Sequence, residues 1–227
     1  AYAPSLDTLG FFAREANDLA LVRAAYGHAA EDPLKAPPRI GVVHLPWADL
    51  CEPYNQRNLQ EAARALRAAG ASVRAWTAPD SWSALLPAQH RIMTREATRS
   101  FAGERARFAH LFSPSLQNVM AEGDAVTARQ VADARKRKRL ALAKLEEAWT
   151  RFDLLLAPAA RGEAPSGLGN TGDPVFNRSW TLLGVPCIAL PFNVGPFGLP
   201  LSVQLVGPRG GDDRLVAAAR WVERALS

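Results

Sequence analysis

Gly172-Asp-Pro-Val-Phe-Asn-Arg-Ser-Trp-Thr-Leu-Leu-Gly-Val-Pro-Cys-Ile-Ala-Leu190 is the stretch on which the reading of this chain turns. Asp173 followed by Pro174 is a helix start: the carboxylate can accept from orphan amides of the first turn, and proline needs no donor there. Gly184 and Pro186 predict its end about three turns later, glycine giving a left-handed cap and proline refusing to continue the ladder. Cys187 to Leu190 is then a short apolar run, predicted as a strand buried on both faces. Pro196 to Pro200 turns the chain, and Leu201 to Val206 reads as a second strand.

A helix so placed aims its free amides and partial positive charge at whatever lies beyond Gly169 to Gly172. Asn170, Thr171, Asp173, Asn177 and Arg178 crowd into nine positions there, beside the large apolar Phe176 and Trp180. That mixture predicts the wall of a substrate pocket, with Asp173, Phe176, Asn177, Arg178 and Trp180 as the candidate binding residues. Spacing alone equally allows a well-capped structural helix with Arg178 on its wet side, paired to Asp173 or Glu163.

Upstream, Ile40 to Leu45 reads as a buried strand and Pro53 to Ala69 as a helix, with Leu59, Ala62, Leu66 and Ala69 at core spacing. Gly70 stops it, and Ser72 to Trp76 is the next strand. This β-α-β crossover joins parallel strands and assigns the α/β class. Glu31 to Pro38 precedes it as a proline-rich linker. Ser81 to Arg151 reads as a helical flank, broken near Pro114 and Gly123. Within it, Arg135-Lys-Arg-Lys-Arg139 invites a nucleic-acid reading. Five successive residues point all around a helix, however. Val131, Ala134, Leu142, Leu145 and Trp149 form a buried stripe passing over Lys138, so the run is a solvated face, with Lys138 snorkelling or paired to an acid.

At the start, Tyr2 to Phe12 is predicted extended, leading into a helix from about Ala13 to Ala25 with Ala16, Leu19, Ala20 and Ala24 on one face. At the end, Gly210-Gly-Asp212 caps a last helix packed through Leu215, Val216, Ala219, Val222 and Leu226, with Trp221 partly buried at its edge.

The 227 residues, 48% of them hydrophobic, can build a sizeable core. Net charge is +5 and the pI about 9.7, yet the basic residues are interleaved with acids and no nucleic-acid reading module is present. Cys51 and Cys187 are too few for a disulfide framework, which fits a reducing, cytoplasmic setting. No apolar run approaches the ~20 residues of a bilayer span. His28, His90 and His110 have no ligand spacing, and neither a metal nor a cofactor is expected. No Gly-x-Ser-x-Gly elbow occurs. His44 and Cys51 could form a Cys-His pair only with an orienting partner that the sequence does not show.

Three segments carry a resemblance to the amidase signature enzymes. They are Phe152-Asp-Leu-Leu-Leu-Ala-Pro-Ala-Ala160, the stretch from Gly172 to Pro186, and Gly198-Leu-Pro-Leu-Ser-Val-Gln-Leu-Val-Gly207. Upstream, Ala3-Pro-Ser-Leu-Asp-Thr-Leu-Gly-Phe-Phe-Ala-Arg14 resembles the segment that follows the family's nucleophile region. Between Ala29 and Arg151 only the pattern of elements matches. The resemblance implies a mixed sheet flanked by helices, a single incomplete domain over residues 1–227 forming the C-terminal part of the amidase fold, with the opening segment lying in the central sheet as an exposed, aggregation-prone edge. It implies a Ser-Ser-Lys triad that cleaves a carboxamide C–N bond.

No Gly-Gly-Ser-Ser run occurs between Ala1 and Ser227, so the triad is expected to lie outside this chain. Ala1 is accordingly expected not to be a natural start, the chain being inactive alone and supplying the pocket wall. Its partners would be a small-molecule amide and the N-terminal part of the same protein, with a homo-oligomer possible through the middle helices. The alternatives are a catalytically silent amidase-like binding or regulatory protein, and a subunit completing an active site with a separate catalytic chain, including the amidotransferase type. Neither nucleic acid nor membrane is an expected partner.

Overall fold

A computed structural model describes residues 1–28, 34 and 36–227. The elements are α1 (Ala16–Ala25), β1 (Arg39–His44), α2 (Pro53–Ala68), β2 (Ser72–Thr77), α3 (Leu85–Ser100), α4 (Ala102–Phe108), α5 (Pro114–Ala125), α6 (Ala128–Trp149), β3 (Leu154–Pro158), α7 (Val175–Leu183), β4 (Cys187–Val194), β5 (Pro200–Val206) and α8 (Asp212–Leu226). The five strands form one sheet in the order β2-β1-β3-β5-β4. Strands β2, β1 and β3 run parallel, while β5 and then β4 pair antiparallel. The α/β class and the mixed sheet are as the sequence predicts.

The crossover falls within a residue of its predicted bounds, because β1 is a short apolar run, Pro53 opens the helix and Gly70, at φ +99°, ends it as a side-chained residue would do only under strain. Ala69, expected in the core, is exposed; Ala63, Asn55 and Asn58 complete the buried face of α2 instead. Of the linker reading over residues 31–38, residues 31–33 and 35 lie outside the described residues.

Both faces of the three central strands are covered. Ile40, Leu154, Leu156, Leu190, Val203 and Leu205 meet Leu66 of α2 and Leu215, Ala219 and Val222 of α8. On the opposite face Val43, Leu155, Ala157 and Val206 meet Leu85, Ile92, Leu145, Phe176 and Trp180, from α3, α6 and α7. Trp221 is half-buried against α8's own cluster, as expected.

The helical flank has the predicted break at Pro114, whose preceding Ser113 side chain accepts from the Leu116 amide. The second break moves two residues on. Gly123 lies inside α5, where an added Cβ would sit 2.1 Å from Thr98 Oγ1 and 2.3 Å from the Thr94 carbonyl oxygen, so this glycine serves close helix approach. Thr127 starts α6 with a reciprocal capping box to Gln130. Along α6 the buried residues are Ala134, Ala141, Leu145 and Ala148. Arg135, Lys136, Arg137 and Arg139 are exposed and Lys138 half-buried, which bears out the solvated face. Burial pushes the Lys138 ammonium pKa down, Arg209 and Arg135 add to this and Glu96 opposes it.

Three expectations need correction. The opening segment is not a strand: the Leu6 and Asp7 amides donate to the Ala3 carbonyl, and the Asp7 carboxylate accepts from the Tyr2 and Ala3 amides. Groups that a ladder would have used are thereby taken by a local turn. Ser5 fixes this turn to Glu96 of α3. The edge strands are instead β2, of which only Val73 is buried, and β4, of which only Leu190 is buried. Ile188, Leu190 and Phe192 pack on the α8 side, while Cys187, Ala189 and Pro191 on the other face are exposed, so β4 is not covered on both faces. In α1 only Ala16 is buried, its amide accepted by Glu223 of α8.

Candidate functional site

Parallel strands β1 and β3 end side by side, and the chain leaves them in opposite directions to build the sheet. In α/β sheets such a switch point at the carboxyl ends of strands is where ligands sit. The chain after β3 is held there through its own backbone. Asn177 of α7 donates to the Ala159 carbonyl at 3.0 Å, and Asn55 of α2 to the Ala160 carbonyl at 2.8 Å. The Glu52 amide donates to the Arg161 carbonyl at 2.8 Å. Asn177 in turn accepts from Gln204 of β5 at 2.6 Å, and Asn55 from Asn58 at 3.4 Å. Three successive carbonyls are thus satisfied by three different residues, leaving the loop little freedom before Gly162.

Beyond Gly162 the loop stays pinned. Tyr54 Oη accepts from the Glu163 amide at 3.2 Å, and the Glu163 carboxylate accepts from the Phe197 and Leu199 amides at the tip of the β4–β5 hairpin. Near its far end Asn170 accepts from the Gly172 amide at 2.8 Å, folding a tight turn ahead of α7 with Gly172 at φ +92°.

The five sequence-predicted binding residues divide. Asp173 and Arg178 lie at the surface, Arg178 Nη2 being 4.0 Å from Asp173 Oδ1. Asn177 is half-buried and bonded on both sides of its amide. Phe176 and Trp180 are in the core, at 0% and 1% exposure, one helical turn apart on the face of α7 that meets the helical flank. Trp180 stands edge-to-face with Trp82, ring centroids 5.9 Å apart. Asp173 does not cap α7, which begins at Val175 with Pro174 in the cap position; the Pro174 carbonyl receives the Asn177 and Arg178 amides. The C-cap is as expected, Gly184 at φ +67°.

Sequence reasoning passed over Asn55 and Gln204, and named Glu163 only as a possible partner of Arg178, whose acid is instead Asp173. Gln204 and Asn55 carried a signal, each being a carboxamide inside an otherwise apolar face. Glu163 carried none, since its partners are backbone amides 34 and 36 residues away.

The remaining nucleophile candidates have no catalytic geometry. Cys51 is buried, and burial pushes its thiol up to about 11 although a hydrogen bond with Asn55 pulls the other way. His44 is exposed and not among its partners. The Cys187 thiol faces the Val185 carbonyl at 3.8 Å on the sheet edge. Among the described residues no three His, Cys, Asp or Glu side chains gather to hold a metal, and no helix is long and apolar enough to cross a membrane.

Comparison with known proteins matches this arrangement to one family. The family model described as Amidase matches residues 1–216. A glutamyl-tRNA(Gln) amidotransferase chain of Picosynechococcus sp. is 25% identical over 278 residues, covering 100% of this chain and 57% of that protein. Its counterpart in Thermus thermophilus is 30% identical over 277 residues with the same coverage. A crystal structure described as an amidase superposes with a TM-score of 0.82 at 24% identity, over 94% of this chain and 52% of its own, and shares the fold. The chain spans about half the length of the curated relatives it matches. With its model matched over nearly the whole sequence, this chain belongs to the amidase family.

Proposed function

We propose that this chain forms the substrate-facing wall of an amidase that hydrolyses a carboxamide C–N bond, with the catalytic Lys and two Ser on polypeptide outside these 227 residues. The observation that carries this reading is the loop from Ala159 to Gly172. Its main chain is fixed from Ala159 to Glu163 by Asn177, Asn55 and Tyr54 at the carboxyl end of the parallel strands, while Asp173 and Arg178 beside it lie at the surface, close enough only for a loose ion pair.

Hydrolysis of an amide needs a nucleophile, a base within hydrogen-bond reach and donors for the oxyanion. In the resembling family a neutral Lys, acting through the middle Ser, activates the second Ser, and water releases the acid. A Lys base must lose its charge at working pH, which burial arranges. This chain would contribute recognition. The planar fork of Arg178 suits a carboxylate or polar carbonyl of the substrate, and Asp173 tethers it until substrate arrives. Phe176 and Trp180 then act from beneath, keeping the first turns of α7 in place. The whole is a single domain completed by its N-terminal part, working in the cytoplasm.

In the complete enzyme Arg178→Ala is expected to lower kcat/KM about 10-fold for amides bearing a carboxylate or second carbonyl, and less for simple amides. Unchanged selectivity and turnover would remove Arg178 from the pocket.

The second reading is an amidotransferase component that passes ammonia to a companion chain. The coverage of this whole chain by relatives named as glutamyl-tRNA(Gln) amidotransferase components favours it. Co-purification of the complete protein with stoichiometric companion chains, and ammonia release that depends on them, would select it over a free amidase.

A further inference from the structure

The tip of the β4–β5 hairpin reads Gly195-Pro-Phe-Gly-Leu199, and its backbone is held by two kinds of contact. It closes on itself, the Gly195 amide donating to the Leu199 carbonyl at 2.8 Å and the Gly198 amide to the Gly195 carbonyl at 3.1 Å, with Gly198 at φ +83°. It is then tied to the loop after β3. The Glu163 carboxylate accepts from the Phe197 amide at 3.1 Å and from the Leu199 amide at 2.8 Å. Lower down, Asn193 donates to Glu61 of α2 at 2.9 Å.

Glu163 has no ionic partner within 4.0 Å among the described residues, so its charge is spent on backbone N–H groups, where charge-assisted bonds are the stronger kind. Room has been kept for it. A Cβ on Gly195 would come within 2.4 Å of the Glu163 carboxyl carbon. Behind it, a Cβ on Gly162 would come within 2.2 Å of Tyr54 Oη, the atom that accepts from the Glu163 amide. Two glycines and one tyrosine therefore seat a single carboxylate against the hairpin.

What the seated hairpin presents is apolar. Phe197 is 81% exposed and Leu199 40%, and Leu168 of the facing loop is fully exposed. A fixed main chain carrying free apolar side chains is how a rim is built, since an apolar group held in position binds without an ordering cost. Because β5 runs antiparallel to β3, its start at Pro200 lies beyond the carboxyl end of β3, on the same side as the loop that leads to Asp173.

We infer that Glu163 is a positioning residue that locks the hairpin so that Phe197 and Leu199 form an apolar rim, selecting amides that carry an aromatic or branched aliphatic acyl group. The substrate half of this inference rests on the amidase reading above; the latch half does not.

The test uses Glu163→Ala, Gly195→Ala and their combination in the complete enzyme. In Glu163→Ala, hydrogen exchange of the Phe197 and Leu199 amides rises about 10-fold or more while core amides are unmoved. Gly195→Ala does the same by expelling the carboxylate, and adds nothing in the Glu163→Ala background, so the latch is tested even if one variant folds poorly. Unchanged exchange, or additive effects of the two substitutions, would overturn it.

Kinetics with phenylacetamide and acetamide test the substrate class. The ratio of their kcat/KM values falls about 10-fold in Glu163→Ala, through KM for phenylacetamide, and Glu163→Gln, which keeps one acceptor oxygen, falls between. An equal fall for both amides would overturn the apolar rim. Wild-type enzyme that turns over neither would overturn the substrate class together with the reading it rests on, while exchange alone still decides the latch.

Discussion

The two ends of the sheet are fastened in opposite ways. At the amino end of the parallel strands, Asp153 accepts from the Arg39 side chain and amide and from Arg214 at 2.9 Å. A cleft of about 230 Å³ opens beside them, lined by Pro37, Pro38, Gly207 and Leu215 among others. There, charged side chains mostly bond to one another, and their capacity is consumed in holding the strands together. At the carboxyl end, Asn55, Asn177 and Glu163 bond instead to main-chain groups of loops. Side chains directed at backbone fix the shape of a loop and leave the loop's own side chains free. An end built the first way stabilises the fold; an end built the second way can present groups to a ligand.

The comparison is broken most severely from below. Trp180→Ala removes the ring that supports α7 against Trp82 and should cost about 3–5 kcal/mol in denaturant unfolding; a loss under ~1 kcal/mol would mean that α7 is not anchored through the core. Next comes Asn177→Ala, which strands both the Ala159 carbonyl and the Gln204 amide, for about 1–3 kcal/mol. Its mark should be loss of exchange protection in residues 159–163 before any global change.

At the amino end, Asp153→Asn should cost about 1 kcal/mol, without altering loop protection at the other end. Burial alone would raise the Asp153 carboxyl, but the hydrogen bonds and charge of Arg39, with Arg214, hold it below the usual carboxylate range. A depressed folded pKa contributes stability that is present above the unfolded value of about 4 and is lost as pH falls through the lower folded value. Acid titration of unfolding should therefore show a steeper decline below about pH 4 in the wild type than in Asp153→Asn. Smallest is Asp173→Asn, at about 0.5 kcal/mol or less, because an ion pair this long and this exposed contributes little. A larger stability loss would make the pair structural and weaken the case for its waiting on a substrate.

These regions were unequally legible in the sequence. The β1-α2-β2 unit was readable to within a residue because periodicity and Gly70 are local signals, and β5 likewise followed from its turn. The burial of β4 was not. An apolar run says that a strand wants cover without saying how many layers the chain supplies, and only the strand order shows β4 at an edge. Asp173 and Arg178 were readable as surface polar groups near a helix start, whereas Phe176 and Trp180 could not be told from pocket lining because an apolar side chain reads alike on either side of a wall. The role of Glu163 was silent for another reason: its partners lie 34 and 36 residues away and are backbone atoms, which leave no trace in side-chain pattern.

Gly123 bears on how such a molecule could move. With Thr98 Oγ1 donating to the Thr94 carbonyl and in reach of Met120, and no space for even a methyl between α3 and α5, the two helices cannot ratchet past each other. Sliding one helix past the other would first have to open this contact. The helix so held, α3, follows directly on the segment carrying Trp82, whose ring stands edge-to-face with Trp180 beneath α7, so a joint displacement of α3 and α5 would reach that helix first.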